Sequence, residues 1–425
     1  MTSDLRPLAG LTVLDLGIIT AGAATSQVFA DFGADVIKVE SLAYTDPFRK
    51  WSQIAGAVDG TERTPDLNAS PPFASVNRGK NGIAVDLKTD EGRQIFLELA
   101  RGADIVVENF RRGVIERLGI GFDVLRTVNP RIVLLSLSSQ GITGPEAGYI
   151  SFGSPLEALG GTMAITGYGP DQPPVWSGNN VNYPDQLVSY LGPGLALAAL
   201  RARDHANTAI HVDAAQREAV TSVIGETILE HSVTGTISKP RGNRHARFAP
   251  QGIYATGGDD AWIAISVQTD AQWQILTTLD GMRELAEDAS LSTAAGRQHA
   301  HDRIDEQLAL FTQDKDRHRL AEQLQHLGVP AAAVLRPAEV LHHPQLHALG
   351  FHTVVDSEDI VQRGYIARLL PHGGHVTKRA PRLGEDTARV LRERLGYDDA
   401  RIRDLHSSKA IFCAELVDAP VAAAT

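Results

Sequence analysis

Within the 425-residue chain, residues 176–200, WSGNNVNYPDQLVSYLGPGLALAAL, carry the clearest potential for chemistry. A polar loop bearing glycine and asparagine ends at Tyr183-Pro184-Asp185, and an apolar, small-residue run follows at once. That change of pattern predicts a buried helix starting beside Asp185. A carboxylate at such a junction has two uses. It can cap the helix by accepting backbone N–H bonds, the common role of an isolated Asp there. It can also meet a ligand as a nucleophile, and one residue can do both, since N–H groups bonded to the carboxylate hold its pKa low.

Other constellations fall away on spacing. Fifteen histidines are present, with His342, His343 and His347 close together, but no H-E-x-x-H or Cys–His spacing accompanies them, so no metal site is expected. Neither a G-x-S-x-G elbow nor a P-loop occurs. Arg111-Arg112 and the basic run after Lys239 read as solvated faces sooner than as phosphate sites. A net charge of −11 argues against a nucleic-acid partner. Cys413 is the one cysteine, which excludes a disulfide framework. The first residues, MTSDLRPLAG, lack a signal-peptide profile, and no run approaches the ~18 apolar residues of a membrane span. A cytoplasmic protein with no membrane partner is the expectation.

The elements that must position Asp185 read as alternating strands and helices. LTVLDL (11–16) is a buried-strand candidate, 21–32 a small-residue helix stopped by Gly33, and DVIKVE (35–40) a second strand. This is a Rossmann-type outline, but Gly17 and Gly22 do not form G-x-G-x-x-G, so no dinucleotide is implied. Residues 44–72 read as a long polar surface excursion. GIAVDL (82–87), ADIVV (103–107), RIVLLSL (131–137) and AIHVDA (209–214) are further strands. Thr89 is a natural N-cap, and 217–234 reads as one helix. The predicted fold is α/β, with a parallel sheet covered on both faces. Two strands around Gly257-Gly258-Asp259-Asp260 predict a hairpin opening a smaller α+β domain. The expected layout is a large domain over 1–205 to which 376–410 returns, a linker at 206–244, and a small domain over 245–335. A linker at 336–375 and a mobile tail at 411–425 complete it.

Taken together, six stretches resemble the family III CoA-transferases, the group of formyl-CoA and carnitine CoA-transferases. They are PLAGLTVLDL with FADFGADVIKVE, GIAVDLKTDEGR with ADIVVENFRRGVIERLGI, NPRIVLLSLSSQGITGP, the YPD stretch, GIYATGGDDAWIAI, and APRLGEDTARVLRERLGYDDARI. The resemblance implies a Rossmann-like CoA-binding domain and a homodimer of two chains threaded as interlocked rings. Counting back without gaps from Ala198-Ala199-Leu200 sets the family's catalytic aspartate on Asp185. It implies transfer of CoA from an acyl-CoA donor to a carboxylic acid acceptor, through an aspartyl mixed anhydride and an aspartyl-CoA thioester, with no permanently bound cofactor. Ile19, Thr20 and Ala21 would approach the CoA arm, and Lys88, Asn109, Phe110 and Arg117 match positions lining its nucleotide end. Backbone N–H groups of the Gly257-Gly258 loop would stabilise oxyanions.

Departures from the family pattern matter. Thr20 stands where formyl-CoA transferases carry glutamine, which argues against formyl-CoA and oxalate. Related racemases place a His-Asp pair at Phe152-Gly153, so proton abstraction and return lack agents here. An acyl-CoA racemase or isomerase, and a non-catalytic CoA-binding subunit of a hetero-oligomer, remain the alternatives.

Overall fold

The computed structural model describes residues 6–51, 66–178, 181–355, 361–367, 369, 376 and 378–417. The chain forms two compact units. The larger gathers residues 1–162, 177–233 and 347–425, and the smaller gathers 163–176 and 234–346.

The large unit is built on seven strands. In chain order they are β1 (Thr12–Asp15), β2 (Asp35–Glu40), β3 (Asn81–Val85), β4 (Ile105–Glu108), β5 (Val133–Ser136), β6 (Ile210–Asp213) and β12 (Ile411–Phe412), while β10 (His352–Val354) and β11 (Val361–Arg363) form a separate antiparallel pair. Their spatial order is β12-β3-β2-β1-β4-β5-β6. All neighbours are parallel except β12, which runs antiparallel to β3. Because side chains alternate along a strand, each strand feeds two cores. Leu14, Ile37, Ile83, Val106 and Leu134 pack on one face with Ile95, Phe96 and Leu99 of helix 90–100. Val13, Val36, Ile105, Val133 and Leu135 pack on the other with Phe29, Val188, Ala196 and Leu200. Near-continuous apolar strands are what a sheet covered on both faces requires.

Two helices on that second face matter most, α1 (Ala21–Asp31) and α2 (Tyr183–Ala206). Their small residues allow close approach: a Cβ on Gly192 would stand 2.9 Å from the Thr25 methyl. On the first face, Thr89 caps helix Asp90–Ala100 by accepting the Gly92 N–H at 2.9 Å, as its position predicts.

Several predicted boundaries are overturned. The expected linker 206–244 contains β6, which extends the sheet beyond β5, so hydrogen-bond pairing rather than linker composition decides that segment. The single helix expected over 217–234 is two, Gln216–Ser222 and α3 (Gly225–Thr234). Residues 163–176, expected in the large domain, belong to the smaller unit. The expected second linker is divided, since 336–346 belongs to the small unit and 347 onward to the large one. The expected tail from 411 starts with β12, and Ile411, Phe412 and Cys413 are buried; residues 418–425 lie outside the described ones. The predicted polar excursion at 44–72 also turns inward at its start: Asp46 is 1% and Arg49 0% exposed. Residues 52–65 of it lie outside the described ones.

The small unit holds the predicted hairpin, β7 (Gln251–Ala255) and β8 (Trp262–Ser266), joined on β8 by antiparallel β9 (Ala331–Ala333). Ile263, Ile265, Trp273, Leu308 and Leu324 form its core.

Phe412 packs with Leu67, Ala84 and Leu383. Deleting residues 411–425 strips this packing and exposes the β3 edge. The expected loss is about 3 kcal/mol or more, a fall of roughly 5 °C or more in melting midpoint. An unchanged midpoint in calorimetry contradicts this role for β12.

Candidate active site

Asp185 is the third residue of α2, one turn from a helix start that the sequence prescribes. Asn182 sits before it with φ 49° and ψ 53°, a left-handed conformation that asparagine tolerates, and Pro184 suits a first turn that needs no N–H donor. Asn182, not Asp185, occupies the cap position, and the cap-bonded carboxylate of low pKa expected from sequence is not what forms. Burial alone acts on the Asp185 carboxyl and pushes its pKa from 3.8 up to about 6. It stays ionised at neutral pH, yet it is poorly solvated.

Asp185 lines a cavity of about 780 Å³ within the large unit. The cavity runs along the carboxyl ends of β1 to β5, touching Leu16, Val39, Val85, Asn109 and Ser139. That edge is where open parallel sheets bind ligands. Of the residues singled out from sequence, the cavity brings Ile19, Lys88, Asn109 and Phe110 together with Asp185. Lys88 is exposed, and Phe110 is half-buried. Buried Glu108, its carboxyl pushed up to about 7 by burial, accepts the Phe110 N–H at 2.8 Å and so fixes the backbone there.

Other expected contacts are not brought in. Thr20 and Ala21 are buried behind the turn and are not part of the cavity lining. Arg117 is exposed and outside the lining; its Nη1 lies 3.1 Å from where a Gly113 Cβ would be. Gly257, expected as an oxyanion donor, gives its N–H to the Lys315 carbonyl at 2.9 Å, so that group is already engaged. Gly258 holds φ +115°, which only glycine adopts freely. Both glycines lie in the small unit.

Sequence reasoning missed the residues that build the cavity floor. The turn 17–19 is clamped by side chains from four segments. Asp15 Oδ1 accepts the Gly17 N–H at 2.8 Å, and the Lys38 ammonium donates to the Gly17 carbonyl. Asn109 accepts the Ile18 N–H at 2.8 Å and donates to the Ile18 carbonyl at 3.0 Å. Asp46 accepts the Ile19 N–H at 3.1 Å and pairs with Lys38 at 3.0 Å. Lys80 meets Asp15 at 2.8 Å beneath them. Asn109 thus bonds the turn through both ends of its amide while also lining the cavity. The available signal was a lysine and a glutamate inside the otherwise apolar strand DVIKVE, followed by an Asp and an Arg at 46 and 49.

A carboxyl whose folded pKa exceeds its unfolded value binds its proton more tightly when folded. Stability from Asp185 is therefore complete below pH 3.8 and lost as pH rises through about 6. Asp185→Asn escapes that loss. It should raise stability at pH 7.5 by about 1–3 kcal/mol, with the gain shrinking toward pH 4, in paired thermal melts. A lower midpoint for the variant at pH 7.5 contradicts the desolvated carboxylate.

Comparison with known proteins bears on what this site serves. The family model described as CoA-transferase family III matches residues 8–387. The chain is 32% identical over 410 residues to the succinyl-CoA–D-citramalate CoA-transferase of Chloroflexus aurantiacus, covering 96% of this chain and 98% of that one. It is 30% identical over 416 residues to the beta subunit of the succinyl-CoA–L-malate CoA-transferase of the same organism, covering 96% and 99%. Its structure is similar to that of a CaiB/BaiF family protein from Brucella suis, with TM-score 0.82 and 29% identity over 91% of this chain and 99% of that one. Since the match runs through the parallel sheet, the Asp185 helix and the small unit alike, the chain belongs to CoA-transferase family III and is an enzyme of the CoA-transferase class.

Proposed function

We propose that this enzyme moves CoA from an acyl-CoA thioester to a free carboxylic acid, with Asp185 as the nucleophile. The observation that carries the reading is a partly buried carboxylate, perturbed by burial alone, in a cavity along the carboxyl edge of a parallel sheet. In the first step an Asp185 oxygen bonds to the acyl carbon and the carbon–sulfur bond breaks, leaving an aspartyl mixed anhydride and CoA thiolate. The thiolate then attacks the aspartyl carbonyl, expelling the donor acid as carboxylate and leaving an aspartyl-CoA thioester. An acceptor carboxylate attacks that thioester to form a second anhydride, and the released thiolate takes the acceptor acyl group and frees Asp185. Covalent catalysis divides the exchange into easier steps, and each of these oxygen nucleophiles is already ionised at neutral pH. Desolvation of Asp185 raises its basicity and reactivity without making it neutral.

Racemase chemistry needs a second acid/base group beside the thioester. Gly153 supplies none, and a Cβ there would stand 2.6 Å from Asn182 Oδ1, so a side chain at 153 would have to displace Asn182. Donor and acceptor are proposed to be short carboxylic acids, with succinyl-CoA the first donor to assay because two relatives carry it in their names. Lys88 and Arg111 are the cations that the cavity offers to phosphate or to a second carboxylate.

The working form is proposed to be a homodimer. Helix α3 buries none of its residues and exposes Ile228, Leu229 and Val233, while α2 exposes Tyr190, Leu191 and Leu195. Apolar faces of this extent call for a covering partner. A second copy, interlocked as in the family, supplies it, and a hetero-oligomer is the competing arrangement because one relative is named a beta subunit. Light scattering on the isolated, active chain separates the two.

Asp185→Asn should lower transfer at least a thousandfold while leaving the fold intact. In the parent enzyme kcat/KM should fall tenfold per pH unit below about 6, because the ionised carboxyl is the reactive form and its pKa is about 6. Transfer retained by the asparagine variant, or a flat profile down to pH 5, contradicts the mechanism.

A further inference from the structure

Two described non-glycine residues that line the cavity hold positive φ, Asn182 and Ile19, and Ile19 is the β-branched one. Its φ is +58°, a left-handed value that a β-branched residue rarely adopts, and it lines the cavity that holds Asp185. Such a conformation persists only where surrounding contacts over-determine it. Around residues 17–19 they do. Both polar backbone groups of Gly17, both of Ile18 and the N–H of Ile19 are bonded to four side chains, Asp15, Lys38, Asn109 and Asp46.

Asp46 differs from the other three. Its Oδ1 holds the Ile19 N–H at 3.1 Å and also accepts the Phe48 N–H at 3.0 Å, while its Oδ2 pairs with Lys38 at 3.0 Å. Its own N–H is fixed by Glu40 Oε1 at 3.0 Å, and Glu40 is paired with Arg49 at 2.7 Å. Asp46, Lys38 and Arg49 are all at most 1% exposed. A carboxylate so placed cannot drift, and it fixes the one N–H that the left-handed residue presents. The close approach of Gly17 and Gly22, where a Cβ on either would stand 2.4 Å from the other's backbone, leaves the turn no other path.

We infer that Asp46 is a positioning residue for acyl-CoA binding, acting through the Ile19 N–H to hold the strained turn that shapes the cavity beside Asp185. This rests on the CoA-transfer reading above for the identity of the ligand, but not for the coupling between the two residues. Asp46 touches no reacting atom. Its removal should therefore act on donor affinity more than on turnover.

The test is a double-substitution cycle with Asp46→Asn and Ile19→Gly, read by thermal midpoint and by steady-state kinetics with succinyl-CoA. Glycine takes φ +58° without strain, so it removes the need for the clamp. Asp46→Asn alone should raise KM for the donor about tenfold and change kcat less than threefold. Ile19→Gly alone should also raise donor KM while holding or raising the midpoint. In the Ile19→Gly background, Asp46→Asn should lower the midpoint by less than half as much as in the parent. Additive midpoint losses, or a donor KM unchanged within twofold in Ile19→Gly, overturn the inference. Should Asp46→Asn fail to fold, the Ile19→Gly measurement alone decides, because the inference fails if relaxing the turn leaves donor KM unchanged within twofold. An inactive parent enzyme that nonetheless shows non-additive midpoints refutes the transfer reading and leaves the coupling standing.

Discussion

Pairing of buried charge around strands β1 to β3 and helix α1 is the constraint on which the rest depends. Lys38, Arg49, Arg78 and Lys80 are each at most 1% exposed, and each meets a carboxylate within 3.0 Å: Asp46, Glu40, Asp31 and Asp15. Desolvating these ions is expensive, and leaving any one without its partner costs about 3–5 kcal/mol. The pairs are therefore poor sources of net stability but strict sources of geometry. Lys80 shows the principle. It satisfies Asp15, the Ala23 carbonyl, Ser26 and Asn77 at 2.7–2.8 Å, tying β1, α1 and β3 to one point. The turn after β1 can then leave the sheet along one path, and the cavity inherits its floor.

Asp185 sits under the opposite rule. Among the described residues no cation is paired with it, and burial raises its pKa to about 6. The first turn of α2 favours negative charge by about 0.3–1 kcal/mol, which keeps the ionised form accessible while the cavity withholds water. Buried Asp15, Asp31, Glu40 and Asp46 are each neutralised by a cation, whereas Asp185 faces the cavity without one among the described residues. A nucleophile needs that difference, because a buried ion pair stabilises the carboxylate charge and lowers its reactivity.

How much of this was legible in the sequence follows from the range of each interaction. Strands β1 to β5 could be read from short apolar runs, and the Thr89 cap from its neighbours, because both signals are local. Asp185 was legible through the NYPD loop and its small-residue helix, yet its environment was read backwards, since whether a carboxylate is capped or desolvated depends on Asn182 taking the cap. The Lys38–Asp46 and Lys80–Asp15 pairs join residues 8 and 65 positions apart, and charged residues in a strand do not by themselves say which partner each meets. Asn109 was read as a ligand contact, and its bond to a turn 91 residues away was not foreseen. Gly257 was assigned an oxyanion and instead bonds Lys315. Strand β12 escaped because it reads as a tail, and β6, though read as a strand, was placed in a linker, until each is paired with a partner distant in sequence.

The most direct measurement is chemical trapping of the aspartyl intermediate. Intact enzyme is incubated with succinyl-CoA and hydroxylamine, digested, and the peptide containing residue 185 is sequenced by mass spectrometry. Conversion of the Asp185 carboxyl to its hydroxamate, dependent on the thioester, is the expected result. Full turnover with Asp185 unmodified under trapping conditions, or modification of another carboxylate in its place, contradicts the central claim.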